Sequence, residues 1–312
     1  MITSAQGHYN LETSGYALLT GYSRKWNAKY WQTAVLPAIT NSVGFSELTK
    51  GAKVRIPNEP TVTFKTKQNG QEIVSERLDI DGVELNIDQD GYFSVALTDV
   101  DKVLSHLDLA AKFQESGQKA GQAFIDTWFF DAMKAVADPA NRGDANGKAG
   151  VKSLGYDVGL STGGFAVNSA NVVKFITGLE AVGREQVAAD VGVNSCVIPV
   201  WLWHVMLNSE LKHAMQMGDA KSMLRTGALG TLGNTQYFVN TYLSGVGNAT
   251  ATPTQILWCN KEAISYTLRL NNARTYETKD FETLIQAELV WGAKCIKPKG
   301  VVNAWAYRTN DV

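Results

Sequence analysis

The feature that most constrains the fold is a long stretch of helical periodicity, residues 98–138. Thr98 followed closely by two acidic residues is typical of a helix start, and no proline occurs before Pro139. The pattern predicts one helix of about 40 residues, roughly 60 Å long, which Gly117 and Gly121 would bend. Apolar side chains recur along it at helical spacing: Val100, Val103, Leu104, Leu107, Ala111, Ala120, Phe124, Trp128, Phe129, Met133 and Val136.

A β-rich region precedes this helix. Apolar and polar residues alternate at 53–56, 61–65 and 83–88, which predicts three strands. Asn69-Gly70, Asp81-Gly82 and Asp90-Gly91 favour tight turns, because each glycine can supply a positive φ. Residues 58–76 contain few apolar side chains. They therefore predict a projecting hairpin with a solvated tip and little core of its own.

The remainder of the chain predicts alternating helices and strands. Asn168 or Ser169 would cap a helix that continues through Leu179, residues 196–198 would form a buried strand, and Pro199 would open another helix. A strand at 256–259 and a short helix at 263–266 follow, and residues 281–307 return to β structure.

Large aromatic rings with little periodicity mark residues 1–45, including Trp26, Tyr30 and Trp31. They predict an arm whose rings pack on a neighbouring subunit, with stacking on nucleic acid as the alternative.

Composition excludes several classes of function. The 312 residues carry 29 Lys and Arg against 30 Asp and Glu, a net charge of −1, so sequence-specific DNA binding is not indicated. No run approaches 18 apolar residues, and the opening residues lack the basic-then-apolar pattern of a signal peptide. Cys196, Cys259 and Cys295 lie far apart and predict buried thiols in a reducing compartment. We expect a soluble intracellular protein of mixed helix and strand.

Motifs for chemistry are missing from the sequence, which therefore predicts no enzyme and no catalytic, cofactor-binding or metal-binding residues. The glycines at 227, 230 and 233 match neither a P-loop nor a dinucleotide-binding fingerprint. His204 and His213 would lie on opposite faces of a helix, and neither HExxH nor paired CxxC occurs. No GxSxG motif occurs either.

Two stretches resemble the major capsid proteins of tailed bacteriophages with the Hong Kong 97-type fold. Residues 291–298, WGAKCIKP, match the family's closing pattern of an aromatic residue, glycine, a basic residue and proline, followed by apolar β residues. Residues 224–233, LRTGALGTLG, are similar to the family's passage from a helix through spaced glycines into a strand. The order of elements agrees over essentially the whole chain.

The resemblance implies an α+β fold with these parts: an N-terminal arm at 1–50, an extended β-hairpin loop at 51–97, a peripheral domain with its spine helix at 98–149, an axial domain at 150–270, and return strands of the peripheral domain at 271–312. We expect fold-back turns at Gly227, Gly230, Gly233, Gly292 and Pro298. At the three spaced glycines, 227, 230 and 233, the missing Cβ permits positive φ and close backbone approach. Candidate contacts between subunits are Trp26, Tyr30, Trp31, Lys65, Lys67, Glu72 and Glu76.

The function implied by the resemblance is a capsid subunit that self-assembles, as hexamers and pentamers, into an icosahedral shell around double-stranded DNA. Implied partners are a separate scaffolding protein, a portal and a decoration or cement protein, with no membrane and no cofactor. The implied location is the virion, after assembly in the bacterial cytoplasm. One alternative is an encapsulin-type compartment shell. The other is an α/β nucleotide-binding enzyme that uses the loop at 227–233.

Overall fold

A computed structural model describes the fold. The residues it describes are 32, 34–42, 53–60, 62–73, 75, 77–78, 80–98, 109–150, 155–209, 231–232, 234–245, 252–270, 274–278 and 282–309. Two compact units divide them. The first takes its described residues from 1–34, 89–129 and 268–290, and the second takes them from 35–88, 130–267 and 291–312.

The described helices are α1 (Leu36–Ile39), α2 (Leu109–Ala132), α3 (Val172–Glu185) and α4 (Val200–Leu207). The strands are β1 (Lys53–Pro57), β2 (Gly82–Asn86), β3 (Gln89–Thr98), β4 (Lys148–Ala149), β5 (Tyr156–Asp157), β6 (Phe165–Val167), β7 (Asn194–Ile198), β8 (Thr231–Leu232), β9 (Thr235–Val239), β10 (Thr254–Asn260), β11 (Ile264–Leu270), β12 (Arg274–Glu277), β13 (Glu282–Cys295) and β14 (Val301–Arg308). Short 3-10 turns lie at Met133–Ala135, Pro139–Asn141, Ala188–Asp190 and Pro298–Gly300.

A six-stranded sheet, ordered β6-β14-β10-β7-β9-β8, forms the core of the second unit. Every residue of β7 and β10 is buried, as expected of central strands that are covered on both faces. Helices α3 and α4 contribute to the apolar cluster that includes Ile256 and Trp258 of β10. The predicted buried strands at 196–198 and 256–259 are therefore confirmed.

Helix α3 forms because its apolar residues fall on one face. Val172, Phe175, Ile176, Leu179 and Val182 are all buried, at the spacing that an amphipathic helix requires. The prediction that Asn168 or Ser169 caps this helix was wrong, because the residue that immediately precedes it is Asn171. The Asn168 side chain instead accepts hydrogen bonds from the amides of Ala170 and Asn171 in the preceding turn, at 3.1 and 3.0 Å.

In the first unit, β13 pairs with β11, β12 and β3, and α2 packs against this sheet. A Cβ added at Gly117 would lie 2.6 Å from the Phe93 ring, and one at Gly121 would overlap Leu289. The two glycines that were predicted to bend the helix therefore permit its close approach to β3 and β13.

The predicted start of the long helix at Thr98 stays a prediction. Thr98 is the last residue of strand β3, and an extended conformation is also the one that a helix N-cap adopts. The helix described is Leu109–Ala132, continued by the 3-10 turn Met133–Ala135, and residues 99–108 lie outside the described part of the chain. The prediction of helix is therefore confirmed for residues 109–135.

Several local predictions fail because pairing between distant segments overrides local signals. Gly82 is paired with Pro57 in the β1–β2 ladder and Gly91 lies inside β3, so neither forms a turn. Residues 263–266, predicted as a short helix, contain the start of β11. The predicted strand at 61–65 is absent over described residues 62–65.

The end of the predicted arm packs on its own chain. Leu36 and Ile39 of α1 are buried, and Asn41 bridges to β11: its amide donates to the Ile264 carbonyl at 3.0 Å, and its carbonyl accepts from the Tyr266 amide at 2.9 Å. Residues 35–41 therefore belong to the core of the second unit. Trp26, Tyr30 and Trp31 lie outside the described residues.

The last strand also departs from the expected division into parts. We expected residues 271–312 to rejoin the peripheral domain, but β14 pairs with β10 and β6 in the six-stranded sheet. The other proposed boundaries remain predictions.

Gly292→Ala is expected to lower the free energy of unfolding by about 1–3 kcal/mol, because overpacking has that cost. An added Cβ would overlap the Asn86 carbonyl oxygen and lie 3.1 Å from Ile87 Cα. Urea denaturation of the purified chain measures the change. Gly163→Ala is the matched control, since a Cβ there has no atom within 4 Å. Equal stability of the two variants would contradict the close approach at Gly292.

Candidate subunit-contact surfaces

The extended loop is defined here as residues 58–81, between strands β1 and β2. Its base is closed by the antiparallel pair Pro57 and Gly82 and by a hydrogen bond from the Asn58 amide to the Asp81 carbonyl, at 2.7 Å. Its described residues form no strand or helix. Each arm contains about twelve residues and can reach at most roughly 40 Å when fully extended.

Large apolar side chains are exposed along both arms of the extended loop. Phe64 is 101% exposed and Val62 is 67% exposed on the first arm, and Ile73, Leu78 and Ile80 are exposed on the second. Burial of one such side chain contributes roughly 1.5–3 kcal/mol, a gain that the chain leaves unrealised on its own. Clustered exposed apolar groups mark surfaces that bind other molecules.

Charged side chains occupy the region near the tip. Lys65, Lys67 and Glu72 are exposed, as their role as contact candidates requires, while Glu76 lies outside the described residues. At the base, Arg55 lies 3.7 Å from Asp81, with both side chains more than half exposed. Such exposed pairs contribute little to stability, so this ion pair adds little to the closure of the base.

A turn at Gln68–Gln71 forms the tip of the extended loop. The Gln71 amide donates to the Gln68 carbonyl at 3.1 Å, and the Gln68 amide donates to Oε1 of Gln71 at 3.2 Å. Gly70 has a φ of +88°, the conformation expected of the third residue in a type II turn. The turn predicted from Asn69-Gly70 is confirmed.

The predicted fold-back residues have mixed outcomes. Gly227, Gly230 and Gly233 lie outside the described residues, but Leu232 pairs with Thr235 in an antiparallel register, so the chain reverses between β8 and β9. Gly292 was wrongly assigned to a turn: it lies inside β13, where its missing Cβ permits the approach of Asn86. Pro298 begins the 3-10 turn between β13 and β14.

A second exposed apolar segment, which the sequence did not reveal, follows helix α3. Val187, Val191 and Val193 are exposed, and Val187 has a φ of 65°, which is unfavourable for a β-branched residue. Side-chain amides hold this segment in place. Asn260 donates to the carbonyls of Ala188 and Val191, and buried Asn194 donates to the Ala189 carbonyl at 2.8 Å.

Among the described residues, no group of three or more His, Cys, Asp or Glu side chains could hold a metal ion. All three cysteines are buried free thiols. None of the described helices is long and apolar enough to cross a membrane.

Known structures share this fold over nearly the whole chain. A chain from Mycobacterium phage Che8 is 19% identical, with a TM-score of 0.66 over 91% of this chain and 95% of that one. The capsid of cyanophage P-SCSP1u is also similar: it is 13% identical, with a TM-score of 0.61 over 95% of this chain and 94% of that one. The mature capsid of bacteriophage PhiM1 is 14% identical, with a TM-score of 0.62 over 94% of this chain and 93% of that one. No family model and no curated protein matches the sequence.

These similarities confirm the predicted α+β fold of phage capsid proteins. Because the identities are low, they establish the fold alone. Neither the encapsulin hypothesis nor the nucleotide-binding hypothesis gains support from the structures named.

The buried thiols are expected to resist modification in the folded chain. Burial raises the pKa of Cys259 and Cys295 to about 12 and also raises that of Cys196, so the reactive thiolates are scarce at pH 8. A chromogenic disulfide reagent should label none of the three before unfolding and all three in denaturant. Rapid labelling of the native chain would contradict their burial.

The same raised pKa values predict a loss of stability in alkali. Unfolded thiols ionise near pH 9 and folded ones near 12, so the free energy of unfolding should fall as the pH rises through that interval. Replacing Cys259 and Cys295 by alanine should weaken this dependence on pH.

Val187→Gly is expected to raise the free energy of unfolding by up to about 1 kcal/mol. Relief of left-handed strain contributes roughly 1–2 kcal/mol, and the entropy of glycine in the unfolded chain offsets roughly 0.5–1 kcal/mol of it. Thermal and urea unfolding measure the difference. Val191→Gly is the control. Among the described residues, Val187 is the only non-glycine residue with a positive φ, so the same substitution at Val191 relieves no such strain. Destabilisation by Val187→Gly would contradict the strain.

Proposed function

We propose that the chain is a capsid subunit that self-assembles into the icosahedral head shell of a tailed, double-stranded DNA bacteriophage. The observation that carries the proposal is the extended loop, whose apolar side chains are exposed on the subunit, in a fold shared with phage capsid structures. An exposed Phe64 with no core of its own is explained when a neighbouring subunit covers it.

Energetics favour many contacts over one. Association costs an estimated 4–15 kcal/mol in lost freedom of motion. The burial of a few apolar side chains, at roughly 1.5–3 kcal/mol each, is comparable to that cost. A single loop contact is therefore marginal, whereas a closed ring of subunits adds contacts without repeating the full entropic cost. Assembly is accordingly cooperative and depends on concentration.

The charge balance fits this mode of assembly. A net charge of −1 gives little repulsion between copies as they pack. It also gives no broad positive field, which agrees with the confinement of DNA without base recognition. Within this proposal, hexamers and pentamers of the chain form the shell. The separate partners are a scaffolding protein, a portal and a decoration protein. Assembly takes place in the bacterial cytoplasm.

Electron microscopy of the purified protein, alone and with scaffolding protein from the same source, tests the proposal directly. Closed shells, or rings of capsomer size, are expected. Shells filled with protein cargo and no nucleic acid, when isolated from cells, would favour the encapsulin hypothesis. A strictly monomeric protein that binds ATP or NAD saturably, measured by tryptophan fluorescence, would favour the nucleotide-binding hypothesis.

Phe64→Ser is expected to weaken assembly without changing the stability of the subunit. The ring is exposed, so the free energy of unfolding of the unassembled chain should change by less than about 0.5 kcal/mol. Loss of about 2 kcal/mol of burial per contact corresponds to an affinity roughly 30-fold lower. Light scattering as a function of concentration measures assembly, and urea denaturation measures stability.

Val200→Ser is the matched control, because Val200 is an exposed apolar residue in helix α4, outside the extended loop. It should leave the assembly threshold unchanged. If Phe64→Ser assembles at the same concentration as the unaltered chain, the extended loop does not join subunits through this ring.

A further inference from the structure

The chain contains two Asn-Gly pairs, Asn69-Gly70 and Asn146-Gly147. Asparagine followed by glycine can react with its own backbone, since glycine lacks the Cβ that hinders approach of its amide nitrogen to the side-chain amide. The reaction requires that the glycine amide nitrogen and the asparagine side-chain amide can approach each other freely. The two pairs have identical chemistry and differ in their surroundings, so the structure determines which of them reacts.

Asn69-Gly70 is open on all sides. Both residues are exposed at the tip of the extended loop, and no atom lies within 4 Å of the position of a Cβ on Gly70. Within the described part of the chain, no hydrogen bond is made by the Gly70 amide or by the Asn69 side chain. The turn is held by Gln68 and Gln71 on either side, which leaves the reacting groups unconstrained.

Asn146-Gly147 is held in place by backbone hydrogen bonds. Gly147 is buried, and its amide donates to the Asp144 carbonyl at 2.9 Å. Its carbonyl accepts from the amides of Val158 and Gly159, at 2.8 and 3.0 Å. The Asn146 amide donates to Oδ1 of Asp144 at 2.8 Å. Attack by the Gly147 nitrogen therefore requires local opening of this network, which lowers the reactive population.

We propose that the tip of the extended loop is a site of spontaneous modification, the deamidation of Asn69. The Gly70 nitrogen loses its proton and attacks Cγ of Asn69. A C–N bond forms, the bond from Cγ to the side-chain nitrogen breaks, and ammonia leaves with the proton. Water then opens the cyclic imide at either carbonyl and gives aspartate or isoaspartate at position 69. Water is the only co-reactant, and no oxidant or reductant is needed.

The product changes the charge and geometry of the tip. One negative charge appears between Lys67 and Glu72, and the isoaspartate form adds a methylene group to the backbone inside the turn. Both changes fall on the part of the extended loop that carries Lys65 and Lys67. A subunit therefore carries a chemical record of the time that its tip has spent in contact with water.

Incubation of the purified, unassembled chain at mildly alkaline pH tests this proposal. Peptide mapping by mass spectrometry and labelling by an isoaspartate-specific methyltransferase should find conversion at Asn69 at least about tenfold faster than at Asn146. In concentrated urea, the two sites should convert at similar rates. Conversion that is equally fast at both sites of the native chain, or a stable Asn69, would overturn the proposal.

Variants separate the chemistry from other changes at the tip. Asn69→Gln should abolish the isoaspartate signal of the folded chain, because the longer side chain disfavours the five-membered ring. Gly70→Ala should slow conversion, because a methyl group hinders the nitrogen. The positive φ at position 70 strains the tip turn locally, and circular dichroism should show that the rest of the fold is retained. Persistence of the full signal in Asn69→Gln would place the modification elsewhere and overturn the assignment.

A second comparison rests on the proposed function. If a neighbouring subunit covers the tip, Asn69 in assembled shells should convert several-fold more slowly than in free subunits, while Asn146 remains unchanged. An unchanged rate at Asn69 in intact shells would show that assembly leaves the tip exposed to water, and would contradict the idea that a neighbouring subunit covers it. Failure to form shells would contradict the proposed function, whereas conversion in the free chain would still test the site.

Discussion

Burial of the central strand β10 on both faces is the constraint on which the second unit depends. All seven of its residues are buried, between β14 on one side and β7 on the other. The indole nitrogen of Trp258 donates to Oγ1 of Thr235 at 3.1 Å, so the largest side chain of the strand is anchored to neighbouring structure. Helix α3 can cover this strand because Gly183 leaves room for the Trp258 ring, which a Cβ would approach to 2.5 Å.

The described apolar residues of the extended loop take no part in this core. Leu85 of β2 is fully buried at the base, whereas Val62 and Phe64 beyond the base are exposed. The change from burial to exposure takes place where the ladder ends, at Pro57 and Gly82. The second unit thus folds on residues of the sheet, and the proposed function assigns the exposed apolar groups of the extended loop to contacts outside the subunit.

Prediction from the sequence succeeded where local periodicity and tertiary burial agree. Helix α3 and strands β7 and β10 have apolar patterns that match their buried faces, and Asn69-Gly70 carries its turn signal in two residues. It failed where distant pairing decides the structure. Ile264 and Ser265 belong to a strand that Asn41 bonds from more than 200 residues away, and no local window contains that partner.

The contact candidates Lys65, Lys67 and Glu72 stay a prediction, and the structure shows that their side chains are exposed on the subunit. Alternation at 61–65 predicts a strand, but the described residues 62–65 form none, and Val62 and Phe64 are exposed. Under the proposed function, an alternating pattern that finds no partner in its own subunit is explained by burial against a neighbouring one.

Under the proposed function, the arrangement of polar and apolar residues along the extended loop has to allow both folding of the subunit and its assembly. Exposed apolar arms favour non-specific association of free subunits, and a net charge of −1 opposes it only weakly. Charged residues that flank an apolar segment limit such association, because desolvating them is costly unless a partner compensates them. Lys65 follows Phe64 directly, Lys67 lies two residues further along, and Glu72 precedes Ile73. Under the proposed function, a neighbouring subunit therefore has to match both the apolar arms and the charges beside them, and this requirement would make the contact selective at a modest free energy.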